Sequence, residues 1–79
     1  MNKNNKVDYA SNRKLLAMVT KRVQELCSKR EMSMKEVAGR VGVHSSLLKS
    51  LVANERIGLA LLVRICAALN VTLSEFFDT

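Results

Sequence analysis

The sequence predicts an all-α fold, a five-helix bundle, and three observations carry that expectation. Apolar residues recur at helical spacing through most of the 79-residue chain, which has no proline and only three glycines. Two stretches, Ser33-Met34-Lys35-Glu36 and Thr72-Leu73-Ser74-Glu75, carry the capping-box pattern that opens a helix. A chain of this length is one domain, able to bury only about 60% of its unfolded surface, so little remains beyond the fold itself.

Residues 1–12, MNKNNKVDYASN, are polar and aperiodic and carry Lys3 and Lys6. They read as a flexible basic tail, with the domain running over residues 13–79. The first helix is expected over residues 13–30, where Leu15, Leu16, Val19, Val23 and Leu26 share a face and Lys14, Lys21, Arg22 and Lys29 lie mostly elsewhere as a solvated face. Leu15 and Leu16 then need a cover, which Phe76 and Phe77 at the far end of the chain could supply. The second helix, Met34–Val41, starts at the Ser33 box, and Gly42 can take the positive φ that ends it. After Val43 a third helix over residues 45–53 points Leu48 and Leu51 inward, with His44, Ser45, Ser46, Lys49 and Ser50 on a polar, donor-rich face. Asn54, which tolerates the left-handed conformation, is expected to end it. Glu55, Arg56 and Ile57 form a link, Gly58 caps a fourth helix over residues 59–69, Asn70 stops that helix, and the Thr72 box opens a short fifth helix.

The net charge of +6 and a pI of about 9.8 point to a polyanionic partner, nucleic acid first and an anionic membrane second. Only Tyr9, Phe76 and Phe77 are aromatic, too few for the stacking platform of a single-strand binder, which favours a duplex. Cys27 and Cys66 are far apart, each in an apolar helical register, and read as two reduced buried thiols; with His44 the only histidine, no metal site is expected. No cofactor or small-molecule ligand is expected either. No apolar run reaches membrane-spanning length and the polar N-terminus does not read as a signal peptide, so a cytoplasmic, nucleoid-associated location is expected.

A helix ending in Gly, a short turn and a second helix with a polar N-terminal face form the pattern of a helix-turn-helix. The stretch SMKEVAGRVGVHSSLLKSLVAN, followed by IGLALLVRICAALNVTLSEFF, resembles the phage repressor and Cro (Xre-like) helix-turn-helix family. The marks are the Ala38 and Gly42 pair, Val43 after the glycine, the Leu48 and Leu51 anchors and the closing LVRICAALNVTLSEFF. Their order and spacing match over about residues 23–77. The resemblance implies a lambda-repressor-like five-helix bundle, with helices two and three as the motif. It also implies a transcriptional regulator, a repressor, that binds a palindromic operator in double-stranded DNA as a homodimer.

In that architecture the start of the motif's second helix enters the major groove, where donors and acceptors distinguish base pairs. The base-reading candidates are therefore His44, Ser45, Ser46 and Lys49, with His44 as a plain helix cap the alternative. Phosphate candidates are Ser33, Lys35, Ser50, Asn54 and Arg56, together with amides at the start of the second helix. A solvated surface role is the alternative for Lys35 and Arg56. The chain departs from the family at Met34, where a Gln commonly contacts phosphate, and at Leu47, where a polar residue is usual. Leu47 would meet a thymine methyl or extend the core. Cys27 and Val52 replace an Arg and Glu that often pair between helices one and three, and are expected to pack together. The tail reads either as disordered or as a basic arm along DNA.

The fourth helix, LALLVRICAAL, has one charged residue, Arg64, and is too apolar for one face. With Leu59, Leu62, Ile65, Cys66 and Leu69 inward, Ala60, Leu61, Val63 and Ala67 are left outside and, with Phe76, form the expected dimer interface. The alternative is that the long first helix folds over that surface. An enzyme is not expected: His44 and Ser45, being adjacent, diverge on a helix, and no nucleophile elbow, phosphate loop or paired carboxylates occur. Two other functional readings stay open: a protein-interaction adaptor of antirepressor or antitoxin type, and a restriction-modification controller.

Overall fold

The computed structural model describes residues 9–78, which form five α-helices and, among the described residues, no strand. They are α1 (Tyr9–Lys29), α2 (Met34–Val41), α3 (Ser45–Ala53), α4 (Leu59–Ala68) and α5 (Leu73–Phe77). Most of the expected tail lies outside the described residues, but Tyr9 to Asn12 are helical, so α1 begins four residues earlier than its apolar period suggested. Its polar first turn offers no periodic signal to read.

The stripe Val19, Val23, Leu26 and Cys27 of α1 is buried in one core with Val37, Ala38 and Val41 of α2, Leu48 and Val52 of α3, and Leu62, Ile65 and Cys66 of α4. Ile57, Leu69 and Phe76 complete it. Cys27 and Val52 are both members of this apolar cluster. Burial pushes both thiols up from the ordinary cysteine value, and both are free. Met34 is half-buried against this core, so its side chain serves packing.

Both capping boxes form. Ser33 Oγ accepts from the Glu36 amide at 3.1 Å and Thr72 Oγ1 accepts from the Glu75 amide at 3.0 Å, with each glutamate returning to the cap's own N–H. The first four helices all end alike. Backbone N–H groups of Met32, Val43, Arg56 and Val71 donate to the carbonyls of Cys27, Ala38, Leu51 and Cys66, five residues back. That closure demands a left-handed residue just before each donor: Glu31 (φ 53), Gly42 (φ 91), Glu55 (φ 54) and Asn70 (φ 59). Asn54, expected in that role, instead has φ −96, because the left-handed position falls one residue later at Glu55.

Three arginines tie helix ends together. Arg22 Nε donates to the Phe76 carbonyl at 2.9 Å, and its Nη2 reaches those of Glu75 and Asp78, each at 3.4 Å, closing α5 against α1. Arg64 on α4 donates to the Val41 carbonyl at the end of α2 (2.9 Å), and Arg40 on α2 donates to the Ala68 carbonyl at the end of α4 (3.3 Å). Each places positive charge at the negative end of a helix dipole. Arg22, grouped by sequence with the solvated face, is thus a clamp.

Phe76 and Phe77 do not cover Leu15 and Leu16. They sit against Met18, Val19 and Arg22, their rings 5.0 Å apart and edge-on, while Leu15 remains half exposed. The Arg22 clamp fixes α5 further along α1, out of reach of the first turns.

Candidate nucleic-acid interface

α3 is positioned by Leu48, fully buried, Val52, 8% exposed, and Leu51, half-buried against the core, which leaves its opposite face outward. Ser46, Lys49 and Ser50 are exposed and Ser45 is half-buried at the first turn. His44 occupies the N-cap position without a side-chain hydrogen bond, leaving its imidazole exposed and the first amides of α3 open. Leu47 is 49% exposed, which removes it from the core and leaves it on the same outward face. The four base-reading candidates therefore lie along the first half of one helix, from its N-cap to its middle.

The phosphate candidates divide. Ser50 and Asn54 are linked, since Asn54 Nδ2 donates to the Ser50 carbonyl at 2.9 Å and to its Oγ at 3.4 Å. Lys35 is exposed at the start of α2. Ser33 is committed to its capping box, and the Glu36 carboxylate in that box puts negative charge where an anion would dock, so this start is a weaker phosphate cradle than α3 offers.

Arg56 lies elsewhere, in an open groove of about 660 Å³ between α1 and the link joining α3 to α4. Asn54, Glu55 and Gly58 line that groove from the link, and Arg13 and Leu16 line it from α1. Arg13 is a functional candidate that the sequence did not single out, because only the tertiary fold brings it beside Arg56.

The outer face of α4 is apolar. Leu59 is 68% and Val63 46% exposed, with Ala60 and Ala67 also outside, and α1 does not cover them. Two expected members of the interface change. Leu61 is half-buried and packs on the core, exchanging places with Leu59, which was expected inside. Phe76, 1% exposed, is part of the core and is removed from the interface. Leu62, Ile65, Cys66 and Leu69 are buried as expected, and Leu59 and Leu61 flank that stripe on opposite sides, so packing decides which of the two is covered.

α2 and α3, joined through Gly42 with α3's polar face outward, define a helix-turn-helix protein. The match to a family model bears this out: residues 22–79, well over half of the chain, match the Cro/C1-type HTH DNA-binding domain. The chain belongs to that family, and a DNA-binding regulatory function follows as its broad class. Comparison with curated proteins and with solved structures found no match for this chain.

Proposed function

We propose that this protein is a sequence-specific transcriptional regulator, a repressor with a lambda-repressor-like bundle, that places α3 in the major groove of a palindromic operator. The observation that carries the reading is the outward face of α3, where His44, Ser45, Ser46 and Lys49 stand together at an open helix start. Lys49 supplies most of the discrimination through guanine O6 or N7, while the serines make shorter, permissive contacts. Leu47, exposed beside them, meets a thymine methyl in this reading. Ser50, Asn54 and Lys35 set the register on phosphates. A location in the cytoplasm goes with this role.

The same reading makes the protein a homodimer through the outer face of α4, where Leu59, Ala60, Val63 and Ala67 form an exposed apolar stripe. A two-fold pairing there presents two copies of α3 to successive major grooves, ~34 Å apart. Such a face also suits an adaptor that binds a protein partner, and that second reading rests on the stripe alone.

Selection of bound sites from random duplexes tests both parts. A two-fold symmetric site is expected, and Lys49→Ala should cost about 1–3 kcal/mol at one position of each half-site and flatten preference there. Unchanged preference at every position would sink the assignment of α3. Val63→Glu should yield a folded monomer by sedimentation, with greatly reduced affinity for the selected duplex. Retained dimerisation would remove the α4 interface.

A further inference from the structure

We propose that the groove between α1 and the α3–α4 link is a separate phosphodiester site, in which Arg13 and Arg56 grip the backbone of the same duplex outside the stretch that α3 reads. The proposal rests on the DNA-binding reading above and adds to it a contact made by α1, an element outside the helix-turn-helix. Arg13 and Arg56 enter the groove from elements far apart in sequence, and both are exposed. By contrast, Arg22, Arg40 and Arg64 are committed to helix carbonyls. Guanidinium groups from two walls suit a phosphate, whose oxygens take paired N–H donors.

The shape favours a chain over a small anion. A space of about 660 Å³ that opens to solvent admits a sugar-phosphate step, and Leu16 offers an apolar wall to the deoxyribose. Asn54, whose amide donates to the Ser50 carbonyl, lines the groove as well, so the groove adjoins the C-terminal end of α3. Glu55 stands in the same groove and opposes an anion. Two positive charges against one negative make a weak holder of phosphate by itself. The site therefore works as an outrigger, engaged once α3 has docked, and it lengthens the footprint without adding base readout.

The test compares salt dependence on two duplexes carrying the selected site, one ending at the half-sites and one extended by about half a helical turn on each side. On the longer duplex Arg13→Ala should lower the log-log salt slope by about 0.9 for each subunit that makes the contact, equally for any flanking sequence. On the shorter duplex it should match the wild type. Arg13→Lys should keep the slope, and Glu55→Gln should tighten binding to the longer duplex. An Arg13→Ala protein, folded by circular dichroism, that keeps the wild-type slope on the longer duplex overturns the proposal while leaving DNA binding intact. A wild type that binds no duplex overturns both.

Discussion

Arg22, Arg40 and Arg64 each donate to carbonyls at the end of a helix, whereas Arg13 and Arg56, with the same side chain, face an open groove. The same division runs through the helix starts. α2 and α5 are closed by capping boxes, while α3 and α4 begin at His44 and Gly58 with no side-chain hydrogen bond. Some polar groups are thus spent on the chain's own backbone, and others are left open to something outside. In a domain this small, donors left unspent are where binding is to be sought.

The sharpest way to probe that division uses two neighbours on α3. Leu48→Ala opens the core and should cost about 2–5 kcal/mol in chemical denaturation. Lys49→Ala, one residue on, should change stability by no more than about 0.5 kcal/mol, so its effect on DNA is not a folding effect. Equal losses of stability at the two positions would erase the distinction between the faces of α3.

A smaller effect is expected from the clamps. Arg22→Ala removes charged donors from three carbonyls at the end of α5 and should cost about 1–2 kcal/mol, since the half-buried guanidinium is partly screened. Its slope of affinity against salt should stay near the wild type, in contrast to Arg13→Ala. A loss of slope without a loss of stability would move Arg22 to the binding side.

Helix starts give a finer comparison. Ser33→Ala breaks a formed box and should cost about 1 kcal/mol, whereas His44→Ala removes no capping bond and should stay within about 0.5 kcal/mol. Thermal unfolding of the two variants side by side decides it; a costlier His44→Ala would mean that α3 is capped after all.

The smallest effect is one of pH. The Thr72 amide, then its hydroxyl, and the charge of Arg30 hold the Glu75 carboxyl below the usual glutamate range. A carboxylate depressed in the folded state contributes stability that is present above its unfolded value and lost as pH falls through the folded one. NMR amide signals of α5 should therefore hold through the ordinary glutamate range and loosen only below it, with those of α3 unaffected. Loosening of α5 at or above that range would show that the box is not formed in solution.

Much of this was legible in the residues because it depends on short-range geometry. Ser33 with Glu36, and Thr72 with Glu75, sit three residues apart, and that spacing alone lets a hydroxyl and a carboxylate meet the other's amide. Gly42 and Asn70 announced left-handed closures, and the period of Val19, Val23 and Leu26 announced a buried stripe. Glu31 and Glu55 gave no such notice, because a glutamate enters the left-handed region only when the closing hydrogen bond and the packing beyond it outweigh the strain. The polar end of α3 was readable as a site for the same local reason: its members lie within two turns.

By itself, the sequence determined five helices, the starts of the last four, the core stripe and the polar face of α3, all products of interactions between residues a few positions apart. Only the tertiary structure decided which arginines are spent and which are open, because a guanidinium on α1 cannot know from its neighbours whether the end of α5 or an open groove will lie beneath it. Tertiary packing also decided that Phe76 goes inside and that Leu59, not Leu61, faces out from α4. In a helix apolar on nearly every side, local pattern finds the centre of the buried stripe but not its edges, and packing decides which flanking leucine is covered.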